Sequence, residues 1–464
     1  MDISDSRGGH RGVPAKGGSM RVRTLVVGVV CAALALMGTA TATAQSSDEK
    51  PKATDVGVTA KEIHIAVVAD VDNSLAPNLF QGAVDGVKGA AAYLNSKDGG
   101  GGLAGRKVVV DFYDSKLNAT EARNGAISAC QNDFAMVGTS ALLLTNIDDV
   151  TNCVNKDGEA VGIPDVGGVV IGVPETCGPT SFPGIGAQII CSTKDQHPQS
   201  YNTGALYTGL GAYLTKKYKD LHGPWLVSGD SKDGARGGVL SARAAESSGI
   251  KVDNDVTMSA RAQQTAYTPV VQQMKADGAN FAASSVSTNS LILLKSEAEI
   301  QGLDNSKIVY ACAACYGAKE VDAQKDLLEG LYVAIGHLPF DETKYNTTLA
   351  NFMKYVGKAK ANTFSVFTWE AALGFAEGVK AAVAKHGING LTRANVMAGM
   401  KTLTDFDAGG MAGTHNFKTG APTQCFVMMQ YRSGKWVRDY PAKKGTMDCN
   451  PRGSKVTKAD LIGI

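Results

Sequence analysis

From residue 62 onward, short apolar runs alternate with longer stretches of helical period, and this alternation constrains the fold more than any other feature. Residues 62–69 (EIHIAVVA) read as a buried strand. Residues 77–95 then place Leu79, Phe80, Ala83, Val84, Val87, Ala90, Ala91 and Leu94 on one helical stripe. A strand at 107–113 follows, and Asn118 with Glu121 three residues on has the pattern of a capped helix start running to Cys130. The rhythm continues with a strand at 134–138 and a helix near 146–155. It resumes from 201 with a helix to 218 and strands at 225–228, 252–258, 280–284 and 307–311. Helices open at 234 and 268 and another spans 289–300. A β-α-β-α order of this kind predicts an α/β fold with parallel, doubly wound sheets, and the chain is too long for one hydrophobic core, so two lobes are expected.

After 330–335 the alternation gives way to helical patterns at 343–356, 368–386 and 392–403. A hairpin then closes the chain, 425–431 and 435–440 flanking Arg432-Ser433-Gly434. At the other end, basic Arg21 and Arg23 precede the apolar run 25–37, and Ala42-Thr43-Ala44 supplies a small-x-small cleavage pattern. Residues 20–44 are therefore expected to be a signal peptide and the protein to be extracytoplasmic.

Export changes how the cysteines read, because thiols outside the cytoplasm tend to be oxidised. Eight follow the signal segment, and pairing in sequence order would join Cys130 to Cys153, Cys177 to Cys191, Cys312 to Cys315 and Cys425 to Cys449. That is one of about 105 connectivities open to eight cysteines. Cys312-Ala313-Ala314-Cys315 also has redox or zinc spacing, but it lacks both the helix that a thioredoxin-like motif opens and a second ligand pair.

Lys and Arg number 46 against 44 Asp and Glu, without a long basic run, so a nucleic-acid partner is not expected. Gly100-Gly101-Gly102-Leu103-Ala104-Gly105 matches the dinucleotide fingerprint by letter. It follows a helix and precedes a strand, the reverse of the order that brings a helix N-terminus to a pyrophosphate, so no nucleotide cofactor follows from it. The nucleophile elbow, the zinc-protease helix and the P-loop are absent, and the seven histidines show no i, i+4 pair. No enzyme, cofactor or metal is expected on these grounds.

The order of local motifs resembles the extracytoplasmic solute-binding proteins of ABC transporters, in particular the type I, branched-chain-amino-acid (leucine/isoleucine/valine) class. The resemblance rests on Glu62-Ile63-His64-Ile65-Ala66, on Asn95-Ser96-Lys97 with the glycines 99–105, and on Phe134-Ala135-Met136-Val137-Gly138. Further on it includes Gly229-Asp230-Ser231-Lys232-Asp233-Gly234, Ile300-Gln301-Gly302-Leu303, Leu328-Glu329-Gly330-Leu331-Tyr332-Val333 and Trp369-Glu370-Ala371-Ala372. It implies two Rossmann-like lobes joined by three crossovers, with residues 58–190 and 338–412 in one and 191–337 and 413–464 in the other. A monomer would hold a small polar or amphipathic solute, amino-acid-like or an organic acid, between the lobes for an ABC permease. A ligand-sensing module or a secreted hydrolase would be the alternatives.

By that resemblance, and by the rule that open α/β sheets bind ligands at the carboxyl ends of their strands, the expected ligand contacts are these. Asn73, Ser74 and Leu75 follow the first strand. Thr139 and Ser140, with Leu142, would hold a carboxylate at a helix N-terminus. Asp165 and Gly167 follow the next strand, and Asp233, Ser287 and Tyr316 belong to the second lobe. The acid that amino-acid binders place after the strand ending near Ala311 has no counterpart, because Cys312 and Cys315 intervene; Asp233 or Asp165 would have to replace it.

Overall fold

The computed structural model describes residues 49–74, 77–184, 208–317, 324–420 and 422–450. The segment 20–44, Leu75 and Cys191 lie outside the described residues.

Two sheets organise the chain. The first is wholly parallel, in the order β2-β1-β3-β4, from β1 (Glu62–Ala69), β2 (Lys107–Asp114), β3 (Ala135–Val137) and β4 (Asp165–Val166). The second has the order β11-β10-β9-β8-β7-β5-β6. It is built from β5 (His222–Ser228), β6 (Lys251–Met258), β7 (Phe281–Ser284), β8 (Val309–Cys312), β9 (Tyr332–Ile335), β10 (Val427–Arg432) and β11 (Lys435–Tyr440). Strands β5 to β9 are parallel, and the closing hairpin β10–β11 joins antiparallel to β9. Both sheets are doubly wound: β1 has β2 on one side and β3 on the other, as β5 has β6 and β7. Each sheet therefore has a switch point where consecutive connections leave in opposite directions, which is where such folds open a crevice.

The helices between strands are α1 (Gln81–Asn95), α2 (Ala119–Asn132), α3 (Asp148–Thr151), α4 (Val173–Cys177), α5 (Gly209–Lys217), α6 (Lys232–Ser247), α7 (Thr268–Asp277) and α8 (Thr288–Ile300). Then come α9 (Lys325–Leu328), α10 (Thr347–Tyr355), α11 (Thr363–His386) and α12 (Arg393–Met400). Side-chain caps fix several starts. Asn118 accepts from the Thr120 and Glu121 amides at α2, Ser231 from Gly234 at α6, and Ser287 from Ser290 at α8. Helix α11 opens with a reciprocal box in which Asn362 and Ser365 satisfy each other's amides.

The first core gathers around β1, α1 and α11, with Val87, Phe134, Trp369, Phe375 and Val379 fully buried. Helices α1 and α11 approach so closely that a Cβ on Gly86 would lie 2.2 Å from the Thr368 hydroxyl, which donates to the Ala83 carbonyl at 2.8 Å. Any larger residue at 86 would force the helices apart. Disulfides join Cys130 to Cys153, Cys312 to Cys315 and Cys425 to Cys449, and Cys177 is also disulfide-bonded.

Two expected helices come out differently. The pattern at 343–356 divides into a 3-10 turn, Phe340–Tyr345, and α10, because Asn346 leaves the helical region to cap the second piece. The helix expected near 146–155 is only the four-residue α3. Its continuation is cut short where Cys153 is drawn into the bond with Cys130 and Asn155 turns the chain toward Glu159.

Candidate functional site

The loops at the carboxyl ends of the two sheets meet, and one buried acid organises those of the first. Asp70, directly after β1 and fully buried, accepts from the Ser115 hydroxyl (2.6 Å), the Leu117 amide (2.8 Å) and, through its other oxygen, the Leu142 amide (2.9 Å). It thereby ties together the chain leaving β1, β2 and β3. Next to it, Gly138 takes a φ of +78° as the chain leaves β3, and its missing side chain leaves room for Val87.

The expected contacts divide into those that face one another and those already engaged. Thr139 and Asp165 are brought together: both are buried, and the Thr139 hydroxyl donates to Asp165 Oδ1 at 2.6 Å. Ser140 donates to the Gly138 carbonyl and accepts from the Val169 amide. No helix begins there, since 141–147 is turn and loop and α3 starts only at Asp148, so the expected anchoring of a carboxylate by a helix dipole at Thr139 and Ser140 does not hold. The Gly167 carbonyl accepts from Gly184. Asn73 and Ser74 lie in the loop after β1, with Ser74 exposed. In the second sheet's loops Ser287 caps α8. Tyr316 sits against Phe340, His337 and Trp436, its hydroxyl accepting from the Phe340 amide at 2.9 Å.

Asp233 stands at the first turn of α6 and pairs with Arg236 at 2.7 Å. Arg236 also reaches across to the first sheet's loops, its Nη2 donating to the Ile171 carbonyl at 2.7 Å, while the adjacent Gly172 lies beside the Asp233 carboxylate. This clasp joins the chain after β4 to the start of α6.

Beside the clasp, α4 presents Glu175, which sequence reasoning missed. Glu175 is 3% exposed and its Oε1 has no hydrogen-bond partner; the Nε of Arg236 is likewise buried without one. Burial holds the Glu175 carboxyl well above the usual carboxylate range, and the nearby acids Asp165, Asp70 and Asp233 push it further up. Burial also raises Asp165 to about 7, against the opposing donation from Thr139. A signal was present, since Asp165 and Glu175 are the only charged residues between positions 163 and 182.

These shifts fix the sign of a pH effect. An acid whose pKa is raised on folding contributes stability that is full below its unfolded value and is lost as pH rises through the folded one. The ligand-free protein should therefore lose about 1 kcal/mol from Asp165 alone between pH 6.5 and 8. Over the same window His337, lowered to about 4 by burial, is neutral in the folded protein while its unfolded counterpart loses its remaining proton, which returns about 0.4 kcal/mol and leaves a smaller net decline. Melting curves across the window should show the decline, with a shallower slope in Asp165→Asn.

Two doubly wound sheets whose carboxyl-end loops converge on buried polar groups define a ligand-binding protein of the two-lobed, type I kind. The comparisons narrow the class: residues 62–435 match the model of a family described as periplasmic binding protein, and the chain belongs to that family. It is a binding protein rather than an enzyme. No curated protein is matched by the sequence. Among solved structures, an ABC transporter substrate-binding protein from Aeropyrum pernix is similar at 13% identity and TM-score 0.63, covering 84% of this chain and 97% of that one. A fatty acid ABC transporter substrate-binding protein from Thermomonospora curvata is similar at 15% identity and TM-score 0.60, with the same coverage. The solute-binding protein of an R. palustris ABC transporter, solved with benzoate, is similar at 15% identity and TM-score 0.60, covering 83% and 97%. Among the described residues no helix is long and apolar enough to cross a membrane.

Proposed function

We propose that this protein captures a small amino-acid-like solute outside the cytoplasm and presents it to an ABC permease. The solute lies between the loops of the first sheet, residues 70–74, 138–142 and 165–175, and the start of α6. The observation that carries the reading is the buried, unpartnered Oε1 of Glu175, and the Nε of Arg236 is likewise buried without a partner. An orphaned acceptor and an orphaned cationic donor each cost free energy in the absence of ligand. A zwitterion repays both: its ammonium faces Glu175 and Asp165, and its carboxylate faces Arg236. Glu175 thus supplies the acid missing after β8.

Capture works by differential affinity. A solute bonded to α4 and α6 at once favours the arrangement in which they meet, and the permease reads that arrangement. The clasp from Arg236 to the Ile171 carbonyl belongs to the same closure. Arg236→Ala should weaken solute binding by about tenfold to a hundredfold, the usual worth of a charge-assisted hydrogen bond.

Thermal unfolding against a panel of amino acids, simple amines and monocarboxylates tests the reading. A solute at a hundred times its dissociation constant adds about 2.7 kcal/mol to folded stability. A saturable rise with an amino acid supports it. A rise with benzoate or a fatty acid alone, unaffected by changing Glu175, overturns it in favour of an organic-acid binder.

A further inference from the structure

A second cluster, unrelated to the cleft, lies on the face of the first sheet that α2 covers. In the parallel register of β1 and β2, His64 stands opposite Val109, so Asp111, two residues on, projects from the same face diagonally to His64. Its Oδ2 lies 2.8 Å from His64 Nδ1. A third group arrives from α2. Asp133 caps that helix with its amide, and the next amide, that of Phe134, donates to the His64 carbonyl at 2.9 Å, which brings Asp133 alongside the histidine.

Asp133 is fully buried. Its Oδ2 accepts from the Tyr113 hydroxyl at 2.9 Å, but its Oδ1 has no partner. One ligand atom from each of His64, Asp111 and Asp133 falls within a mutual 4.8 Å, and this is the one such grouping among the described residues. The side chains of His64 and Asp111 are 30% and 38% exposed, so the cluster is open to solvent on one side.

We propose that His64, Asp111 and Asp133 bind a divalent transition-metal cation of the zinc class. Two carboxylates that converge with a buried, unpaired oxygen between them repel unless a positive charge is shared. Imidazole with carboxylate oxygens is a donor set that suits zinc and its neighbours, whereas calcium and magnesium prefer oxygen alone. Ligand atoms around one tetrahedral zinc stand about 3.3 Å apart, so small side-chain rotations close the cluster and leave the fourth position to water. Tyr113, donating to the outer oxygen of Asp133, orients that ligand from behind. The bound ion would staple β1, β2 and the end of α2.

Calorimetric titration of the full, tag-free chain with zinc chloride tests this, together with melting curves with and without EDTA. One equivalent of zinc should bind and raise the melting temperature, and EDTA should reverse the rise. His64→Gln and Asp111→Asn, both at partly exposed positions, should fold and weaken zinc binding at least tenfold. Undiminished binding in both variants would place zinc elsewhere and overturn the proposal. Absence of binding by the wild-type chain would overturn it too, leaving a proton shared between Asp111 and Asp133 to hold the carboxylates together.

Discussion

Glu175→Gln should abolish the stabilisation by an amino-acid solute while leaving the protein folded. The substitution keeps the shape of the side chain and removes the charge that faces the ammonium. Truncating one member of a buried charge pair usually costs about 2–5 kcal/mol, so affinity should fall by roughly thirtyfold to several thousandfold. The variant's own stability should move the other way. Ionising Glu175, buried with its Oε1 unpartnered among Asp165, Asp70 and Asp233, is costly, and glutamine removes that cost. A ligand-free melting temperature at pH 8 equal to or above that of the wild type, with binding lost, is the expected combination. Isothermal calorimetry and melting curves on the same preparations read both.

The second large effect concerns the framework. Arg393, fully buried at the start of α12, donates from its guanidinium to the carbonyls of Phe134, Val154, Cys130 and Asp133, at 3.3, 2.8, 2.8 and 2.6 Å, while its own amide donates to Asp55. One side chain thus secures the end of α2, the start of β3 and the loop closed by Cys130–Cys153 to the C-terminal helices. Arg393→Ala leaves those carbonyls without donors inside the protein and should cost about 3–5 kcal/mol. Arg393→Lys keeps the charge but cannot reproduce the fork, and should fall in between. Chemical denaturation of the three proteins measures the order directly; an alanine variant as stable as the wild type would show that water replaces the guanidinium at no cost.

The residues that made the fold legible are those whose signal is local. β1 is visible as an apolar run, unbroken over 65–69, and α2 is announced by Asn118, whose side chain caps it by accepting from the Thr120 and Glu121 amides. The α/β alternation carries the doubly wound sheets for the same reason, since period and turn chemistry act over a few residues. What escaped depends on distant partners. Nothing near Arg393 in sequence indicates four carbonyls drawn from positions 130–154, and Asp70 reads as the polar end of a strand until Ser115, Leu117 and Leu142 are seen to converge on it.

The candidate site was legible in position and less so in chemistry. Strand ends pointed to the loops holding Thr139, Asp165 and Asp233, and the odd pair of charges at 165 and 175 was there to be noticed. The helix expected after Ser140 failed because 141–147 hands its amides to Asp70 and to local turns instead of starting a helix. Ser287 and Tyr316 carry the right chemistry for a ligand, but their polar atoms meet α8 and the Phe340 amide.

The most direct test of the central claim is paired calorimetry with amino acids and their counterparts lacking the amino group: leucine with 4-methylpentanoate, phenylalanine with 3-phenylpropanoate, glutamate with glutarate. If Glu175 holds an ammonium, the best-binding amino acid should exceed its deaminated partner by about a hundredfold or more, the margin set by a buried, unpaired acid. A deaminated acid that binds as tightly as its amino counterpart, or more tightly, would contradict the account.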